Sequence, residues 1–140
     1  MNEKNALEKC LALIEKSGVC LLGTNGDDGF PNIKALLKTK HDGLKRVWVV
    51  TNTASTKVRQ LKQDNRSCVY FLDEENFQGL MLCGTVEILQ DIASRKLLWK
   101  KGMEVYYPLG VNDPNYTVLC FTAKQANYYH GLTNITFDIE

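Results

Sequence analysis

The sequence predicts a mainly β fold with inserted helices, an α+β chain closed as one antiparallel barrel over residues 1–140. Three observations carry that expectation. Six or seven short segments rich in β-branched, aromatic and aliphatic residues lie between clusters of Gly, Asn, Asp and Pro, the punctuation of strands and turns. Helical periodicity is confined to three stretches. Gly84 interrupts the longest strand pattern, and a bend or bulge there would let the sheet curl and bury its edges.

In chain order, Leu7, Cys10, Leu11 and Ile14 recur at helical spacing among charged residues and mark an amphipathic helix. Ser17-Gly18 ends it, glycine suiting the left-handed position beyond a helix. Val19 to Thr24 reads as a strand, Asn25-Gly-Asp-Asp-Gly29 as a hairpin turn tolerant of positive φ, and Pro31 to Leu37 as its partner. His41-Asp-Gly43 then turns the chain into Arg46 to Thr51, which completes a meander. A second helix begins near Thr56 with Val58 and Leu61 facing inward, Cys68 to Leu72 forms a buried strand, and Leu80 to Leu89 a long one. Asp91 caps a third helix running to about Lys101 and presenting Ile92, Arg95, Leu98 and Trp99. Gly102 to Tyr116, with Pro108, Gly110 and Pro114, predicts turns with one short helical piece, Tyr106-Tyr107 acting as a cover. Val118 to Phe121 and Ala126 to His130 read as paired strands across the polar link Thr122–Gln125.

The chemistry concentrates where the strand Val47–Val50 stops and the helix at Thr56 starts. Ser55 has the side chain of a helix N-cap, and the first helical turn leaves backbone N–H groups without partners at the positive end of the macrodipole. With the charge of Lys57, that turn is a candidate anion cradle. The plainer alternative is a capped helix carrying a solvated lysine.

Composition excludes several classes. Seventeen basic residues against sixteen acidic ones leave a net charge of +1, without the polycationic footprint of nucleic-acid or anionic-membrane binding. No apolar run reaches the length of a membrane span, and Met1-Asn-Glu-Lys-Asn-Ala lacks a basic region followed by an apolar one, so a cytoplasmic protein is expected. The five cysteines are scattered within apolar patterns, and neither they nor His41 and His130 show metal-ligand spacing.

The hairpin at Asn25–Gly29, Lys34-Ala-Leu-Leu-Lys38, the turn at Asp42-Gly43, Val49-Val-Thr-Asn-Thr-Ala-Ser-Thr-Lys57, Arg66 to Leu72 and Leu82-Cys-Gly-Thr-Val-Glu87 occur in an ordered series. In that order the chain resembles the pyridoxamine 5′-phosphate oxidase-like split-barrel flavoproteins, nearest to the short members related to general stress proteins. The resemblance implies a split β-barrel of the FMN-binding type, with FMN at a homodimer interface. Lys57 and Ser55 match the family's phosphate-binding lysine and serine, and Thr56 stands where many members carry arginine, at the loss of one charge and a bidentate donor. Val50 and Thr51 match a strand end that meets the flavin ring through backbone groups. Lys34 matches a basic position beside the flavin, the alternative being an outward-facing lysine. Gln78 matches a glutamine supplied by the second subunit, one residue off the usual spacing from Gly84, and the apolar run Phe77–Cys83 is a candidate for that interface.

Lys38 lies near where the vitamin-oxidising members hold their substrate's phosphate. Thr136-Phe-Asp-Ile-Glu140 does not match the basic carboxy-terminal segment of those enzymes, so authentic pyridoxamine phosphate oxidation is not expected. The implied function is FMN-dependent redox transfer to an unspecified small molecule. The rivals are a stress-related module that holds FMN, haem or another planar ligand without turnover, and a structural dimer with an empty cleft. A phosphate cradle favours a phosphorylated ligand over haem, as does the lack of a placed axial His or Cys.

Overall fold

In the computed structural model, which describes residues 1–140, the chain runs through helix α1 (Glu3–Lys16) and strands β1 (Val19–Asn25), β2 (Pro31–Asp42) and β3 (Arg46–Asn52). Helix α2 (Thr56–Gln63), strands β4 (Arg66–Asp73) and β5 (Gln78–Leu89) and helix α3 (Ile92–Leu98) follow. Two 3₁₀ turns at Met103–Val105 and Gly110–Asn112 lead to strands β6 (Tyr116–His130) and β7 (Thr133–Asp138). The sheet order is β3-β2-β1-β4-β5-β6-β7, every pair is antiparallel, and β3 also pairs with β6. That additional ladder closes six strands into a barrel, which removes the exposed edges a flat sheet would keep.

Strand β6 departs most from the sequence reading. It is one continuous strand of 15 residues, not a hairpin folded at Thr122–Gln125. Along one edge Tyr116–Thr122 pair with β3 and Gln125–His130 pair with β7, so a single long strand closes the barrel and carries the last hairpin. On its other edge Gly84 faces Ala123 while Cys83 faces Gln125, which leaves Lys124 as the extra, bulged residue. The extra residue reverses the strand's phase. Leu119, Phe121 and Ala123 are buried before it, Ala126 and Tyr128 after it. In sequence that phase reversal across polar residues reads as a turn. A Cβ on Gly84 would sit 1.9 Å from the Thr122 carbonyl oxygen, so the close approach expected at this glycine is present.

The barrel splits between β2 and β3. Their ladder runs from Asp42↔Arg46 to Lys38↔Val49 with a register shift between Lys38 and Lys40. Before Lys38, β2 pairs with β1 only, and from Val50 to Asn52 the β2-facing edge of β3 has no ladder partner.

The expectations for helices α1 and α3 need correction. Helix α1 buries Ala6, Cys10, Leu13 and Ile14, whereas Leu7 and Leu11 are 40% and 37% exposed. Its apolar stripe is wide, and the packing of α1 against β4 and β7 selects one half of it. Gly18 is not left-handed; α1 ends because the Ser17 hydroxyl donates to the Leu13 carbonyl (2.7 Å) and the Ser17 N–H to that of Ile14 (3.3 Å). Helix α3 stops at Leu98, short of Lys101, and buries Arg95 and Leu98 but not Ile92. Together with Tyr107, Tyr116 and Val118, Leu98 forms a small second cluster outside the barrel. Tyr107 stacks on Tyr116 at 5.0 Å and is the cover expected of the tyrosine pair, while Tyr106 is 73% exposed.

At the β4–β5 turn, Asp73 accepts hydrogen bonds from Lys16, Asn76 and Gln78 and ties the hairpin to α1. Those donors, Lys16 foremost, hold the Asp73 carboxyl well below the usual carboxylate range. A depressed folded pKa contributes stability that is complete above the unfolded value near 3.9 and is lost as pH falls toward the folded one. Thermal melts from about pH 5 downward are therefore expected to steepen below about pH 4. Asp73→Asn should flatten that acid limb, and an unchanged limb would remove Asp73 from it.

Candidate functional site

A cleft of about 350 Å³ opens where the start of β2 faces the start of α2. It is lined by Thr24 of β1, Asn32, Ile33 and Lys34 of β2, and Ser55, Thr56, Lys57 and Gln60 of the turn and helix. The local sequence explains the placement. Strand β3 ends at Asn52, the Ser55 N–H donates to the Asn52 carbonyl (3.1 Å), and the chain turns directly into α2. Arg59 is the first residue whose N–H finds the carbonyl one turn back, at Ser55 (3.3 Å), so the first-turn amides stand free at the positive end of the helix.

Ser55 occupies the N-cap position with extended backbone, but its hydroxyl makes no capping bond. Its Oγ is buried and has no hydrogen-bond partner in the protein. A buried hydroxyl left without a partner is costly, and its presence at the edge of this cleft points to a ligand that supplies one. Burial, and then the neighbouring Lys34 ammonium, push the Lys57 amine below its ordinary range. Two lysines that repel one another across a cleft are both relieved by an anion held there.

The structure therefore brings Lys34, Ser55, Thr56 and Lys57 to one cleft. Lys34, which the resemblance matches to a basic position on the strand beside the flavin, lines the same cleft as Lys57. Val50 and Thr51 lie on the unpaired β2-side edge of β3. Thr51 is buried, and Val50 lines a second, more apolar cavity of about 400 Å³ with Ala35, Leu36, Leu37, Met103 and Tyr106. The two cavities meet β2 at consecutive stretches, Asn32–Lys34 and Ala35–Thr39.

Gln78, which the resemblance assigns to the second subunit's contribution, does not line the cleft of its own chain. Its amide is committed at both ends, Nε2 donating to Asp73 (2.8 Å) and Oε1 accepting from Tyr128 (2.5 Å). Within the run Phe77–Cys83, Leu80 and Leu82 are fully buried in the barrel and Phe77 alone is widely exposed. Lys38 is also engaged, its ammonium donating to the Ile14 carbonyl at the end of α1. Gln60 and Thr24 were missed by the sequence reading. Gln60 falls at i+3 from Lys57, a spacing that marks the same helix face, but Thr24 is remote in sequence and only the fold brings it there. Burial pushes the thiols of Cys10 and Cys20 up to about 12 and about 11, so neither offers a thiolate.

The residues present fit a phosphorylated group: ammonium, hydroxyl and free amide donors converge on one cleft, with an open backbone edge and an apolar cavity beside it.

Residues 5–138 match the family model described as Pyridoxamine 5′-phosphate oxidase like. Among solved structures, a Clostridium acetobutylicum protein related to general stress protein 26 of B. subtilis shares 52% identity over 99% of this chain and 97% of its own, with a TM-score of 0.90. General Stress Protein 26 from Bacillus anthracis superposes with a TM-score of 0.79 at 17% identity, covering 95% of this chain and 98% of its own. A heme binding protein from Mycobacterium smegmatis does so with 0.77 at 14% identity, covering 95% of this chain and 57% of its own. At such low identity these last two show the shared fold alone. No curated protein matches the sequence significantly.

Proposed function

The chain belongs to the pyridoxamine 5′-phosphate oxidase-like family, and we propose that it is a cytoplasmic FMN-binding oxidoreductase that acts on a small molecule other than pyridoxamine phosphate. The observation that carries this reading is the cleft at the start of α2, where a buried, unpartnered Ser55 hydroxyl stands beside Lys57 and Lys34. Lys57, Lys34, the Ser55 hydroxyl and the first-turn amides of α2 hold the phosphate. The open edge of β3 at Val50 and Thr51 holds the flavin ring through backbone groups, which explains why those two side chains are ordinary strand residues. When bound, FMN supplies the redox chemistry. The apolar cavity walled by Leu36, Val50, Met103 and Tyr106 keeps water from the ring and admits the reacting partner. Lys38 is tied to α1, which counts against a role in holding a substrate phosphate.

A homodimer belongs to the same reading. Val19, Ile33, Leu37 and Leu72 on β1, β2 and β4 are each more than half exposed, an apolar face that a second copy would cover. The purified protein is expected to be yellow, with a flavin absorbance spectrum, FMN as the released ligand by mass, and a dimer mass by light scattering. A colourless monomer that takes up no added FMN would overturn the proposal.

One observation favours binding without turnover. No carboxylate, histidine or cysteine lines either cavity, which leaves lysines and tyrosines as their only proton-transfer groups. Anaerobic mixing with reduced nicotinamide cofactors separates the two readings: bleaching of the flavin band supports an oxidoreductase, and an unchanged band supports a flavin carrier.

A further inference from the structure

We propose that Gln60, held by Thr24, is a recognition residue for the phosphate end of the ligand, its Nε2 donating to a phosphomonoester oxygen. This rests on the reading of the cleft as an FMN phosphate site. Gln60 is only 8% exposed and Thr24 4%, yet both line the cleft. The Thr24 hydroxyl donates to Gln60 Oε1 at 2.6 Å, which satisfies that oxygen and fixes the amide's orientation. No protein group accepts from Gln60 Nε2, which is not sealed in the interior and stays accessible as a free donor in a residue that lines the cleft.

The geometry of α2 aims this donor. Gln60 lies at i+3 from Lys57 and i+4 from Thr56, so the three share one helix face, and helical side chains lean toward the N-terminus of their helix. The free amide thus points back over the first turn, toward the same space as the Ser55 hydroxyl and the Lys57 ammonium.

Charge explains why a neutral donor suits the place. Burial, and then Lys34, already lower the Lys57 amine, and an arginine at position 56 would add a third cation to that repulsion. With Thr56 there, Gln60 restores a hydrogen bond to the anion without adding charge. The ligand class that follows is a terminal phosphomonoester, and the pair should discriminate FMN from riboflavin.

The test is titration of the ligand-free full-length protein with FMN and with riboflavin, read by flavin fluorescence, for wild type, Gln60→Glu, Gln60→Leu and Lys57→Ala. Gln60→Glu keeps an oxygen to accept from Thr24 but replaces the donor by a group that repels phosphate. It is expected to lower FMN affinity by at least about tenfold, as loss of a charge-assisted hydrogen bond does, and to leave riboflavin affinity unchanged. Gln60→Leu should show a smaller loss of the same selectivity and serves if the first variant unfolds. If both Gln60 variants retain wild-type FMN affinity while Lys57→Ala does not, Gln60 is a packing residue and the phosphate site stands. If wild type itself does not prefer FMN to riboflavin, the phosphate reading and this proposal fall together.

Discussion

Gly84→Ala is expected to destabilise the protein by about 3 kcal/mol or more, at the upper end of what overpacking costs. A methyl group there would lie 1.9 Å from the Thr122 carbonyl oxygen and 3.0 Å from the Ala123 Cα, and both obstacles are backbone. Relieving the clash requires β5 and β6 to separate at the bulge that sets the phase of everything after Lys124, including the barrel-facing Ala126 and Tyr128. Gly79→Ala is the control. Its added carbon meets the Tyr70 hydroxyl at 2.2 Å and the Tyr129 ring at 2.6 Å, side chains that can rotate away, so its cost should be smaller. Urea melts of the two variants measure the difference. A Gly84 variant melting like wild type would show that the bulge can shift its register freely.

Lys57→Ala should weaken FMN binding by about 1.5–3 kcal/mol, the range for a hydrogen bond to a charged group. The loss should be felt strongly because position 56 supplies no second cation, leaving Lys34, the Ser55 hydroxyl and the helix terminus to hold the phosphate. Folding should not suffer. Lys57 makes no ion pair in the structure, and its amine is pushed down by burial and by Lys34, so removing it relieves strain in the ligand-free protein. Isothermal titration with FMN, paired with a melt of the ligand-free protein, reads both effects. Weakened stability with unaltered FMN affinity would be the opposite of this expectation and would move the phosphate elsewhere.

Much of the architecture was legible because short-range chemistry writes it. The turns at Gly29 and Gly43 take the positive φ that their Asn, Asp and Gly residues tolerate, and Asp91 caps α3 through the Ser94 N–H at 3.0 Å. What misled was phase. Lys124 adds one residue to a strand, reverses its alternation and imitates a turn, and β7 after it went unread because Thr133–Asp138 has a single buried residue, Phe137. Helix α1 misled for a related reason, since a wide apolar stripe does not say which half will be covered.

The site divides along the same line. The run of residues from Val47 to Leu61 determines by itself a strand, a sharp turn through Ser55 and a helix beginning at Lys57's turn, because propensity, unpaired amides and the helix dipole are local. Tertiary structure alone decided that Lys34 would face Lys57, that Thr24 would orient Gln60 across 36 residues of sequence, and that Gln78 would be spent on Asp73 and Tyr128. Strand register sets those meetings, and register is fixed by the bulges and the barrel closure, which no local stretch contains.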